Sequence, residues 1–191
     1  ITAWSPDVVI LIDYPGFNFR VAEWAHNKGY KVYYYIAPKV WASREGRIKK
    51  LKAYVDKLFI VFPFEIPYFT RKGIDFIYKG NPLVDAIDNS AALKETREEF
   101  LTRNGLKDKP IIALMAGSRT GEISSMMPVF MQFADKMRAL AQYADYQFVV
   151  AAAPSRSMSD YAQYLKGREA YVSVVFGESY AVIRHAEAAV V

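Results

Sequence analysis

The run "IALMAGSRTGEI", residues 112–123, sets an unbroken apolar stretch against Gly117, Ser118 and Arg119 and then arrives at Glu122. It reads as a buried strand that ends in a tight turn and hands over to a helix. That turn suits a phosphate. Gly117 permits close backbone approach, Ser118 and the turn's N–H groups donate, Arg119 adds a cation able to make two parallel bonds, and the next helix directs its positive end there. In the plainer alternative it is an ordinary connection in which Arg119 pairs with Glu122.

Working outward, the same strand–turn–helix phrase recurs. Upstream, residues 8–12 form a β-branched and Leu run, the pattern of a strand buried on both faces, and a helical segment follows that stops at Gly29. "KVYYYI" reads as the next strand, "WASREGRIKKLKAYV" as a helix with Ile48, Leu51 and Val55 on one side, and "KLFIVF" as a third strand. A helical "FEIPYFTRKG" and a short strand "DFIY" complete the first half. Apolar density then drops and charge rises until Gly105 closes a helix, so a domain boundary is expected near residues 87–89. Beyond it, strands at "PIIALMA", "QFVVAAA", "YVSVVF" and "AAVV" alternate with helices, the longest at "MPVFMQFADKMRALAQYA", where Pro128 is expected in the first turns. Repeated β-α units of this kind imply parallel sheets with right-handed crossovers. The fold class is therefore α/β with two Rossmann-like lobes, residues 1–88 and 89–191.

The composition fits a globular chain: 191 residues, 52% hydrophobic and 24% charged. No apolar window approaches the roughly 20 residues of a membrane span, because Asp13 and Pro15 close the longest early run. With no cysteine and only two histidines, His26 and His185, disulfides, thiolate metal sites and a histidine metal cluster are ruled out as readings, and no metal site is expected. The net charge of +5 points to anionic partners. Nucleic acid is not expected among them, since the 14 Tyr and 12 Phe are spread through strands and form no stacking platform. The absence of G-x-G-x-x-G and of a lysine-containing phosphate loop argues against hydride and phosphoryl transfer.

In open parallel sheets, ligands sit outside the carboxyl ends of the strands. The first half offers there "DYPGFN", "APKVW", "FPFE" and "GNPLVD"; the second offers "GSRTGE", "APSRS" and "GES". Asp13 ends a buried strand before Pro15 and Gly16, so its carboxylate is either a general base at the rim or a turn cap that accepts backbone N–H groups. Asn18 has a plain reading as a helix cap. The segment "KVWASREGRIKKLK", with Lys39, Arg44, Arg47, Lys49, Lys50 and Lys52 beside Trp41, is either an anionic-lipid surface or a solvated helix face.

Together "PDVVILIDYPGFNFR", "YYIAPKVWASREGRIKKL", "FPFE", "GNPLVD", "LMAGSRTGEI" and "RHAEAAVV" stand in the order and spacing of lipid-A-disaccharide synthases, and the chain resembles that glycosyltransferase family over nearly its whole length. The resemblance implies a GT-B architecture that needs neither a catalytic metal nor a cofactor. It implies transfer of diacylglucosamine from a UDP-diacylglucosamine donor to the 6-hydroxyl of diacylglucosamine 1-phosphate, giving a β-1,6 disaccharide and UDP with inversion. It further implies work at an anionic membrane surface, on the cytoplasmic face of the bacterial inner membrane, with a homodimer as one assembly. Asp13 matches the family's "ID-x-P" aspartate, the candidate base; Gly117, Ser118, Arg119 and Glu122 match the UDP-sugar side. Asn18, Arg20, Pro38, Trp41, Arg44 and Asn81 are expected to face the acceptor or lipid. The sequence departs from the family pattern at Gly16, Ser43 and Ala116. It also lacks the family's "G-x-x-SGD" and "SGTATLE"-like loops, so it reads as an internal fragment: the second half of an acceptor lobe and the first half of a donor lobe, expected to transfer little sugar alone. The alternatives are another GT-B enzyme such as a UDP-N-acetylglucosamine 2-epimerase, or a non-catalytic phosphate-binding module.

Overall fold

Val9 and Leu11 are buried, whereas their neighbours Ile10 and Ile12 are 57% and 60% exposed, so the first strand has only one covered face. The computed structural model, which describes residues 1–191, gives the reason in the order of its strands. In the unit Ile1–Ala86, the strands β1 (Val8–Ile12), β2 (Lys31–Tyr35), β3 (Lys57–Ile60) and β4 (Phe76–Tyr78) lie side by side in chain order, all parallel. Every connection steps the same way across the sheet. Right-handed crossovers then place α1 (Pro15–Asn27), α2 (Ile48–Tyr54) and α3 (Glu65–Arg71) on one face. Phe19, Ala22, Leu51 and Phe69 from these helices meet Val9, Leu11, Val32, Tyr34, Leu58 and Ile60 in the unit's single buried core. The opposite face carries a row of Ile10, Tyr33 and Lys57 and a row of Ile12, Tyr35, Phe59 and Ile77. The expectation that residues 8–12 are buried on both faces is thus corrected: an apolar run records what a strand can bury, and strand order decides what covers it.

The unit Ile87–Val191 winds both ways. Its strands are β5 (Ile111–Leu114), β6 (Gln147–Ala152), β7 (Val172–Phe176) and β8 (Ala188–Val190), in the order β7-β6-β5-β8, again parallel. From β5 the chain steps outward to β6 and β7, then returns to the other side of β5. Helices therefore cover both faces. α6 (Thr120–Arg138) and α7 (Ala162–Leu165) pack Ile123, Met127, Phe130 and Leu165 on Ile112, Leu114, Phe148 and Val150. α5 (Arg97–Arg103) and α8 (Ser179–His185) pack Phe100, Leu101, Ala181 and Val182 on Ile111, Ala113, Val149 and Ala151. Every residue of β5 and β6 is buried, as their continuous apolar sequence requires.

Three helix boundaries differ from those expected. Residues 41–43 form a turn and bend, not the start of a helix, because Arg44 after them takes a left-handed φ of 55° that a right-handed helix cannot include. Trp41 and Arg44 therefore sit on a loop ahead of α2. The polar stretch after β4 holds a short helix, α4 (Pro82–Asp88). α6 starts at Thr120, where the Glu122 carboxylate accepts from the Arg119 N–H just ahead of the helix, so Pro128 lies in mid-helix and not in its first turns. Its position is exposed, and water can take the Ser124 carbonyl that loses its helical donor. No helix is long and apolar enough to cross a membrane.

Candidate functional site

In the first unit, the strands leave the sheet through strained backbone. Asp13 and Tyr14 after β1 have φ of 45° and 41°, and Ile36 after β2 has 62°. A β-branched residue in the left-handed region is held there by its surroundings. The Asp13 carbonyl shows how: it accepts from Tyr34 Oη at 2.6 Å and from Asn18 Nδ2 at 2.7 Å, while Asn18 also reaches the Ile12 carbonyl at 3.0 Å. Burial, then the nearby Asp13 carboxylate, pushes the Tyr34 hydroxyl up to about 12, so it stays a donor. Asn18 is thus a tether inside α1 and not its cap. The Asp13 carboxylate makes no hydrogen bond or ion pair, which removes the turn-capping alternative: other side chains hold the turn, and its own oxygens are free.

β3 exits differently. Glu65 is 1% exposed, and its carboxylate accepts from Val61 N (3.2 Å), Phe62 N (3.1 Å) and Trp41 Nε1 (3.1 Å). A buried carboxylate is tolerable only when so fully bonded. It knits the loop after β2 to the loop after β3, and Trp41 then stacks edge-on against Phe64 at 4.8 Å. Glu65→Leu should lower unfolding stability by about 2–3 kcal/mol, because it strands two backbone donors and an indole N–H. Chemical denaturation checks this, and a loss under about 0.5 kcal/mol contradicts it.

These loops enclose a cavity of about 710 Å³ along the carboxyl edge of the first sheet. Asp13, Pro38 and Asn81, all expected at the site, line it together with Lys39, Ser43 and Arg47. The Asn81 side chain accepts from Leu83 N at 3.0 Å and so also starts α4. Trp41 and Arg44 do not line the cavity: Trp41 follows the lining residue Val40 and is tied to Glu65 and Phe64, and Arg44 is exposed on the same loop. Arg20 is not brought there: it lines a depression with Ile1, Thr2 and Trp24 that shares no residue with the cavity. Lys39, Arg47 and Glu65 lay inside quoted motifs, but nothing in residue spacing told which of several cations turns inward.

In the second unit, Gly117 has φ 80°, and a Cβ there would meet Glu122 Oε2 at 2.5 Å. Glycine is needed because the Glu122 carboxylate lies in the turn. Its Oε2 accepts from Ser118 N (2.9 Å) and Arg119 N (3.0 Å), and its Oε1 from Arg119 Nη1 (2.6 Å). Bonded first by these backbone donors, Glu122 is held down at about 2 and is ionised at any working pH. The N–H groups expected to receive a phosphate are thus occupied by a carboxylate of the chain itself. The Arg119 guanidinium, on a side chain 82% exposed, keeps further donors toward solvent. Arg156, from the loop after β6, braces the turn from behind: Nε donates to Ser118 O (2.7 Å) and Nη1 to Thr120 Oγ1 (3.1 Å). Next along the same edge, a cavity of about 740 Å³ follows β6 and β7, lined by Pro154, Gly177, Glu178 and Ser179 with Glu95 and Arg103. Arg103 clamps Glu178 at 2.5 Å and holds its carboxyl below the usual range. Gly117, Ser118, Arg119 and Glu122 do not line that cavity.

His185 stacks on Phe100 at 4.9 Å, and burial lowers its pKa, so the ring serves as a neutral wedge under α5.

Comparison with known proteins bears on both rims. The family model described as lipid-A-disaccharide synthetase matches residues 1–191. The chain is 39% identical over 189 residues to a lipid-A-disaccharide synthase of Geobacter metallireducens, covering 98% of this chain and 48% of that one. It thus spans about half the length of the curated relatives it matches. Among solved structures, it resembles S. aureus MnaA in complex with UDP, with a TM-score of 0.68 at 14% identity, over 99% of this chain and 54% of that one. It also resembles the UDP-GlcNAc 2-epimerase of Methanocaldococcus jannaschii, with a TM-score of 0.61 at 14% identity, over 98% of this chain and 56% of that one. At such identity the likeness is one of fold: Rossmann-like α/β units with parallel sheets, of the GT-B type.

Proposed function

Because the chain belongs to the lipid-A-disaccharide synthetase family, we propose that its two units carry parts of the acceptor and donor sites of an inverting glycosyltransferase. The first unit serves the acceptor, diacylglucosamine 1-phosphate; the second serves UDP-diacylglucosamine. The observation that carries this reading is the Asp13 carboxylate. It is free of hydrogen bonds, fixed at the strand end by the anchored carbonyl of its own residue, and opens into a cavity with apolar walls.

Asp13 takes the proton from the acceptor's 6-hydroxyl as that oxygen attacks the anomeric carbon of the donor sugar from the face opposite the leaving group. The bond from that carbon to the diphosphate oxygen breaks, and UDP departs with the bonding electrons. Arg119 then meets the charge that develops on the diphosphate. With Glu122 seated in the turn, the diphosphate uses the outward donors of Arg119 in place of backbone N–H groups. Apolar surface for acyl chains is present beside Asp13, in Ile36, Val40, Val61 and Leu83, and at the exposed rings of Trp41 and Phe64. Those rings, next to Lys39 and Arg44, also suit a peripheral site at the cytoplasmic face of an anionic membrane.

The test is a disaccharide assay on a full-length enzyme carrying this sequence, with diacylated donor and acceptor. Formation of a β-1,6 disaccharide with stoichiometric UDP is expected, and the 191-residue chain alone should give little or none. Epimerisation of a UDP-sugar without transfer would sink the reading.

A further inference from the structure

The rim cavity of the first unit is lined by three titratable groups: Asp13, Lys39 and Arg47. Lys39 and Arg47 outnumber the one carboxylate, and neither makes an ion pair. Lys50, Lys72 and Lys31, by contrast, pair with Glu23, Glu45 and Asp56. No carboxylate other than Asp13 lines the cavity to compensate them. Glu23 and Glu45 are further engaged by Tyr54 and Tyr68, Asp56 by the Val32 N–H, and Glu65 is used up within its own loops.

The two cavity cations are nevertheless held in place. Lys39 Nζ lies 5.9 Å from the centroid of the Phe62 ring, and Arg47 Cζ lies 5.7 Å from that of Phe19. A ring face steadies a cation by its quadrupole and uses none of its N–H donors. Lys39 comes from the loop after β2 and Arg47 from the turn before α2, so two separate backbone segments bring unspent donors to one cavity. A water-filled pocket gains nothing from this arrangement, while an anion gains charge-assisted hydrogen bonds from both.

We infer that Lys39 and Arg47 form the phosphate-recognition site of the acceptor, so that this cavity takes a phosphorylated sugar with a hydroxyl toward Asp13 and its phosphomonoester toward the two cations. The inference rests on the acceptor reading of the first unit and adds the residues that select a phosphorylated sugar over a plain one. A diphosphate is the less suitable occupant, because the second unit has its own cation, Arg119, at the carboxyl edge of its sheet.

The experiment is a calorimetric titration of the 191-residue chain with glucosamine 1-phosphate, with glucosamine and with inorganic phosphate. Saturable binding of glucosamine 1-phosphate is expected, tighter than that of either other probe. Lys39→Gln and Arg47→Gln should each weaken it by about tenfold or more, and leave glucosamine binding unchanged. Lys39 is exposed, so its variant tests the idea even if Arg47→Gln loses packing on Phe19 and melts early. Asp13→Asn should leave the affinity for glucosamine 1-phosphate within about twofold, in keeping with a loss of only about 0.4 kcal/mol. The inference is overturned if wild type shows no saturable binding of glucosamine 1-phosphate, if Lys39→Gln binds it normally, or if inorganic phosphate binds as tightly as the phosphosugar. Binding that depends on both cations, in a full-length enzyme that forms no disaccharide, sinks the transferase reading and leaves this site standing.

Discussion

A full-length enzyme carrying Asp13→Asn should form disaccharide about 10²–10⁴ times more slowly than wild type, the range associated with loss of a positioned general base. The loss should fall on kcat, with little change in the KM of either sugar. The geometry makes this substitution unusually clean. The backbone of residue 13 is fixed through its carbonyl, by Tyr34 and Asn18, and not through its side chain. Asn replaces a carboxylate oxygen with a group that cannot accept the hydroxyl proton, and Asn tolerates the φ of 45° as well as Asp does. Melting temperature should therefore hold while turnover collapses. Normal turnover by the variant would remove Asp13 from the mechanism.

Arg119→Ala is the second large effect, with kcat/KM for the donor expected to fall about 10²–10³-fold, as when one preorganised donor to a developing oxyanion is lost. The ion pair with Glu122 would seem to make Arg119 structural, but an exposed pair contributes little to stability. Two of the three bonds that seat Glu122 come from backbone N–H groups at Ser118 and Arg119, and these survive truncation to Ala. The start of α6 should therefore persist. Unchanged donor kinetics alongside a clear drop in stability would show that Arg119 only caps the helix.

Strands were legible in the sequence because continuous apolar runs have few other uses, and the runs that became β5 and β6 proved buried on both faces. β1 looked alike and is not, because coverage depends on the direction in which later strands are added, and no residue within 8–12 records that. Residues 41–55 were harder still: amphipathic spacing through Ile48 and Leu51 hid a left-handed residue at Arg44, where nothing local demands glycine. At the site, the rule that ligands gather past strand ends brought Asp13, Pro38 and Asn81 to one cavity. It could not place Arg20, which belongs to the body of a helix. Nor could it anticipate Glu65, Arg156 or Tyr34, whose roles rest on partners in other loops and strands, met only after folding. Glu122 was seen as a neighbour of Arg119 but not as an occupant of the turn, since the close approach depends on Gly117 lacking a Cβ.

The two winding schemes also set different demands on the order of assembly. In the first unit each strand meets the one before it, Val8 with Lys31, Tyr33 with Lys57 and Leu58 with Phe76, so every pairing closes a short loop and can form as the chain lengthens. In the second, Ile112 has to find Ala188 after the whole β6–β7 excursion. Non-local pairing slows folding, so β5 acquires β8 only after β6 and β7 have been made. The pairings of the first sheet can form early, while in the second one flank of β5 stays open until β8 arrives.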